Sequence, residues 1–165
     1  MFDFITDSFC NENVAFSQPY YNLLPFVNLR KGKRKAFLSE FYGAFATMSD
    51  RETYSFWEHY FLATPHKTHE QGWFLMRVKE MLYYEDENLN LLSGIPDAWR
   101  KNGKRIYLKN AKCNFGEFSL EVVFGKQVRV TIESDFETNC VISAFANCKE
   151  KVRINKGTNS FVFGG

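Results

Sequence analysis

Residues 117–133 read EFSLEVVFGKQVRVTIE. Phe118, Leu120, Val122 and Phe124 alternate with Glu117, Ser119, Glu121 and Val123, and Val128, Val130 and Ile132 then alternate with polar neighbours. Successive side chains on a strand point to opposite faces, so each run predicts a half-buried strand. Gly125-Lys126 between them is a hairpin signal. RIYLKN (105–110) upstream and NCVISAFA (139–146), KVRIN (151–155) and SFVFG (160–164) downstream are further short candidates. Several short strands at close spacing predict antiparallel sheets packed as a sandwich.

Upstream the period changes. In RKAFLSEFYGAFATM (34–48), Phe37, Phe41, Ala44, Phe45 and Met48 recur at steps of three and four, the stripe of an amphipathic helix. GWFLMRVKEMLYYED (72–86) predicts a second, with Phe74, Val78, Met81 and Leu82 on the apolar face and Arg77, Lys79 and Glu80 off it. ETYSFWEHYF (52–61) reads as a short helix with Asp50 as its N-cap. LATPHKTHEQG (62–72) reads as a loop, because Pro65 biases Thr64 away from helix and Gly72 permits a turn. QPYYNLLPFVNLRKGKRK (18–35) is aromatic and irregular. The expectation is therefore an α+β chain: helices over residues 1–99 and a β-sandwich over 100–165, with the boundary between Gly94 and Gly103. Two or three helices alone bury little surface, so the helical part reads as a piece of a larger helical assembly.

Composition narrows the function classes. In 165 residues, 45% are apolar and 24% charged, which excludes a disordered chain. No apolar run reaches the roughly 18 residues of a membrane-spanning helix. The start, MFDFITDSFC, lacks the basic region of a secretory signal. The net charge of +2 gives no strong field and argues against a nucleic-acid partner. Cys10, Cys113, Cys140 and Cys148 form no C-x-x-C pair, so free thiols are expected and a reducing compartment is favoured. The basic stretch Arg100, Lys101, Lys104, Arg105, Lys109 and Lys112 offers contacts to phosphates or an anionic polymer, but a charge run about an exposed turn is usually a solvated face. No glycine fingerprint for a phosphate cofactor is present, and no cofactor is expected.

All three histidines, His59, His66 and His69, lie in ETYSFWEHYFLATPHKTHEQGWF (52–74), with Glu58, Glu70, Trp57 and Trp73. A carboxylate closed in by rings is a candidate general acid or base, and tryptophan faces form sugar platforms. The alternative is that both tryptophans are core and the histidines are loop residues. His66-x-x-His69 lacks the spacing of H-E-x-x-H, and no metal is expected.

TYSFWEHY, PHKTHEQGWFLMRVKEML and LLSGIPDAWRKNGKRIYLKNAKCNFGEFSLEV together resemble the end of six-hairpin (α/α)6-barrel glycoside hydrolases of the alpha-L-rhamnosidase type. The resemblance runs from about residue 18 to 123, and Leu91, Leu92, Gly94, Ile95, Pro96, Ala98 and Trp99 carry the junction between barrel and sandwich. It implies the last helices of such a barrel followed by a C-terminal β-sandwich. It implies that Glu58 is the general base, that His66 or His69 is the loop histidine, and that Trp57, His59 and Trp73 flank the sugar. The implied reaction is inverting hydrolysis, in which base and acid stand roughly 6.5–9.5 Å apart. No acid partner is evident, so the expected partners are a carbohydrate and the remainder of the barrel, with this chain inactive alone. The alternative function is a non-catalytic carbohydrate-binding or structural module.

Overall fold

The computed structural model describes residues 23–57, 66–145 and 148–164, with the side chain of residue 148 excepted. The chain is mixed α+β and divides into two compact units, residues 1–80 and 81–165. Among the described residues no (α/α)6 barrel is present.

In the first unit α1 spans Leu24–Arg30, with Pro25 in its first turn, where the missing N–H costs nothing. This helix stands in a stretch expected to be irregular. α2 follows at Arg34–Met48 and buries Phe37, Glu40, Phe41, Ala44 and Met48. The predicted helix over 52–61 is not formed at its start. Asp50 accepts the Glu52 N–H at 2.9 Å and the Thr53 hydroxyl at 2.6 Å, closing a turn instead of capping a helix. That turn joins β1 (Ser49–Asp50) to β2 (Ser55–Phe56) in a two-stranded hairpin. α3 spans Thr68–Leu82, so the expected loop over 62–72 gives way to helix from residue 68.

The buried face of α3 is also not the expected one. Phe74 and Val78 are half-buried, while Glu70, Trp73, Arg77, Glu80 and Met81 are buried. Phe74 instead stacks sideways on Phe41 and Phe45 of α2, at 5.7 and 5.4 Å between ring centres.

The described residues of the second unit form eight strands and a 3₁₀ turn (Asp97–Arg100). β3 (Tyr83–Glu85) and β4 (Leu89–Leu91) precede the turn; β5 (Arg105–Cys113), β6 (Gly116–Phe124), β7 (Gln127–Ser134), β8 (Thr138–Phe145), β9 (Cys148–Ile154) and β10 (Gly157–Gly164) follow it. One sheet has the order β10-β7-β6-β5 and is antiparallel throughout. The other has the order β3-β4-β8-β9, and β4 runs parallel to β8. Two expectations are corrected here. The sheets are not all antiparallel, and a division near residue 100 fails because β3 and β4 join a sheet completed by β8 and β9.

The two sheets form a sandwich-like arrangement. Phe118, Leu120, Val122 and Phe124 of β6 and Val128, Val130 and Ile132 of β7 are buried, as are Leu89 and Leu91 of β4 and Cys140 and Ile142 of β8. Each such aliphatic or aromatic side chain contributes roughly 1.5–3 kcal/mol on burial. Tyr83 of β3 stands edge-on to Phe118 of β6 at 5.1 Å, and its hydroxyl donates to the Lys112 carbonyl at 2.9 Å. The segment 91–95 is structural. Leu91, Leu92, Ser93, Gly94 and Ile95 are all buried, and Arg100 donates to the carbonyls of Leu92 at 3.0 Å and Ser143 at 2.9 Å.

Candidate functional site

Glu58 and His59 lie outside the described residues. Trp57 is half-buried, and its backbone N–H donates to the Met48 carbonyl at 2.9 Å, prolonging the β1–β2 hairpin. His66 is exposed with φ of 61°, and His69 is exposed on the first turn of α3. Trp73 is 3% exposed and stacked on Phe41 at 6.2 Å between ring centres, so it serves the helical core and offers no face to a sugar. Its ring falls on the inward flank because it follows the buried Glu70 by three positions and precedes the buried Arg77 by four. Among the described residues the Lys67 N–H donates to the Phe56 carbonyl at 3.1 Å, which sets the segment carrying His66 beside the one carrying Trp57, while Trp73 turns into the helical core. Among the described residues, no three His, Cys, Asp or Glu side chains converge as a metal site.

The polar recesses lie on the outer face of the β10-β7-β6-β5 sheet. One, of about 330 Å³, is lined by Asn110, Glu117, Ser119, Glu133, Asp135 and Lys156 among others. A second, of about 290 Å³, shares Asn110, Ser119 and Glu133 and adds Tyr107, Lys109, Glu121 and Thr131. Strand register sets this row: Ser119 faces Glu133 across the β6–β7 ladder, Glu121 faces Thr131, and Tyr107 of β5 faces Glu121. These side chains occupy the alternate positions to the buried Phe118, Leu120 and Ile132, so packing the core necessarily presents them outward.

A bulge shapes the row. The β5–β6 register shifts between Leu108 and Ala111, placing Lys109 and Asn110 opposite Ser119 alone. Asn110 takes φ of 52°, a conformation asparagine tolerates better than most residues, and its N–H donates to Ser119 Oγ at 3.2 Å. At the strand end Asp135 accepts the Glu117 N–H at 2.8 Å and returns its own N–H to the Glu117 carbonyl at 3.1 Å. Gly116 (φ 147°) is required there, because a Cβ would sit 2.3 Å from Asp135 Oδ1.

Charge along the row is partly compensated. Arg105 pairs with Glu121 and Lys112 with Glu117. The hydrogen bond from Lys112 to Glu117, reinforced by their attraction, raises the lysine above its ordinary value. No family model, curated protein or solved structure matches this chain. What these recesses can do is accept hydroxyl hydrogen bonds on Glu121, Glu133 and Asn110 while Tyr107, 60% exposed, supplies a ring beside them.

The charged interior of the helical unit is the other feature that sequence reasoning missed. Arg77 is fully buried and meets Glu80 at 2.5 Å; Glu70 is fully buried one helical turn before Trp73. Asn28 of α1 donates to the buried Glu40 of α2 at 3.2 Å. Burial lifts Glu80 above the ordinary carboxylate range, with Arg77 partly opposing the rise. No short motif marks such residues, since a charge on a helix normally faces water.

Proposed function

We propose that the chain recognises carbohydrate without hydrolysing it, the β unit being the recognition element. The observation that carries this reading is the outer face of the β10-β7-β6-β5 sheet, where Tyr107, Asn110, Ser119, Glu121, Thr131 and Glu133 line adjoining recesses. Sugars present hydroxyls that carboxylates and amides bind in pairs, and CH faces that pack on aromatic rings. A face fixed by strand register and a bulge is ordered before ligand arrives, which reduces the entropic cost of binding. Titrating the whole protein with a panel of neutral oligosaccharides tests it. Tyr107→Ala and Glu133→Ala should each weaken the best ligand about tenfold or more with an unchanged melting curve. Binding that ignores both substitutions removes the face from the function.

A second reading is favoured by a different observation. Tyr42, Phe45, Leu75 and Met76 of α2 and α3 are 38–66% exposed. Helices belonging to a larger (α/α)6 barrel would cover such side chains with neighbouring helices, and the β unit would then be that enzyme's C-terminal sandwich. Glu58 would act as the general base of a glycoside hydrolase, with His66 or His69 beside it and the acid supplied by the remainder of the barrel. Assays on aryl glycosides with Glu58→Gln distinguish the readings. General base catalysis contributes on the order of 10²–10⁴ in rate, so a turnover that the substitution leaves unchanged excludes that role.

A further inference from the structure

We propose that a cavity beside the 3₁₀ turn of the β unit binds the acidic residue of a uronic-acid-containing oligosaccharide, with Trp99 as platform and Lys104 and Arg105 as the cationic rim. The idea that the ring is a sugar rests on the carbohydrate reading above; the cavity and its charge do not. The space is about 510 Å³ and is lined by Ala98, Trp99, Lys104, Arg105 and Ile106.

Three features make this a prepared site. First, Trp99 is 38% exposed, although its neighbour Arg100 turns inward to bond two buried main-chain carbonyls. Secondly, the loop after it is clamped. Gly103, at φ of 81°, donates to the Phe124 carbonyl at 2.7 Å, and Phe124 returns an N–H to the Lys104 carbonyl at 2.9 Å. The Trp99 N–H itself closes onto the Pro96 carbonyl at 3.0 Å. The main chain that carries Trp99 and Lys104 is therefore fixed by bonds on both sides of the loop before any ligand is present. Thirdly, the polar side chains of this cavity are both cationic, whereas the recesses around Ser119 and Glu133 are rich in carboxylates.

The chemistry follows from that composition. Ile106, Ala98 and the Trp99 ring give an apolar wall and floor suited to the CH face of a pyranose. Lys104 supplies an ammonium for a carboxylate, and Arg105, anchored by Glu121, adds its guanidinium to the lining. A neutral sugar would offer the Lys104 ammonium no counter-charge, so the site selects for an anionic substituent on the ring. Within the basic stretch of the sequence, Arg100 is structural, Lys112 pairs with Glu117, Lys109 lines the second outer recess, and Lys104 and Arg105 line the cavity.

The test is a titration of the whole protein with a short oligogalacturonate and with its carboxyl-reduced neutral counterpart, read by tryptophan fluorescence and calorimetry at low and high salt. The expected result is binding of the acidic oligomer that weakens as salt rises, at least tenfold weaker binding of the neutral one, and about tenfold losses in Trp99→Ala and Lys104→Glu with unchanged melting curves. The neutral panel's sensitivity to Tyr107→Ala is read apart from the salt-dependent binding of the acidic oligomer and its sensitivity to Trp99→Ala, so failure of the outer-face reading and failure of this one are separable. Equal affinity of parent and Trp99→Ala overturns the proposal. So does binding of inorganic phosphate or a DNA duplex as tight as that of the acidic oligomer, because the cavity would then discriminate charge alone.

Discussion

The two units bury different things. The β unit fills its interior with Phe118, Leu120, Val122, Val130, Ile132 and Ile142, all at most 1% exposed. The helical unit sets Glu40, Glu70, Arg77 and Glu80 among its rings, with Arg77 and Glu70 fully enclosed. An apolar interior is held by area removed from water and tolerates modest loss. A charged interior depends on matching, because each ion taken from water must be offset by a partner in good geometry. The two parts of this chain should therefore differ in how they respond to truncation, to acidity and to reagents.

The largest effect is expected at Arg77. Arg77→Ala leaves Glu80 buried without the guanidinium that meets it at 2.5 Å, a loss of about 3–5 kcal/mol. Hydrogen exchange should place the loosening in α2 and α3, and a urea midpoint equal to the parent's would mean that the charged interior is not what holds those helices. Next is Leu120→Ala in β6, which removes a side chain 1% exposed and should cost about 3 kcal/mol, with the exchange localised to the strands. Localisation to the helices would break the contrast.

A smaller effect separates the units by pH. Burial raises Glu80, so its folded form holds a proton more readily than its unfolded form. Stability from this group is present below the ordinary carboxylate range and is lost as pH rises through the raised value. The melting temperature of the parent should accordingly fall relative to Glu80→Gln between pH 4 and 7, whereas Leu120→Ala should track the parent across that window. A rise instead would mean that the attraction of Arg77 outweighs burial. The smallest effect concerns Cys140, whose thiol burial pushes up to about 12. Iodoacetamide near pH 8.5 should modify the half-buried Cys113 while Cys140 stays intact until the chain unfolds, as peptide mass mapping would record. Early alkylation of Cys140 would show that the β interior opens readily.

The same contrast explains what was legible in the sequence. β6 and β7 were, because an apolar interior writes its period directly into Phe118–Leu120–Val122–Phe124 and Val128–Val130–Ile132. α2 was legible for the same reason. α3 was legible as a helix but not in its orientation, since the rule that charges face water fails at Arg77 and Glu80. β3 and β4 are three residues each, too short to display a period, and β4 joins the sheet by pairing with the distant β8. At the candidate site, Glu117, Ser119 and Glu121 were visible as the outward positions of a strand. The bulge at Asn110 that draws them together with Tyr107 leaves no sequence signal beyond an asparagine able to take a positive φ. Trp73 misled because a ring beside histidines in the sequence can still turn inward.

The parallel alignment of β4 with β8 has a consequence for how the molecule is made. Leu89–Leu91 waits for Cys140–Ile142, about fifty residues later in the chain. While a ribosome is still delivering β5, β6 and β7, that antiparallel meander can close on near neighbours, but β3 and β4 have only each other. Their free edge, carrying Leu89 and Leu91, stays unsatisfied until the segment through residue 142 emerges. The vulnerable interval in synthesis thus runs from the emergence of β4 to that of β8, and a truncation ahead of β8 would strand an apolar hairpin with nothing to pair against.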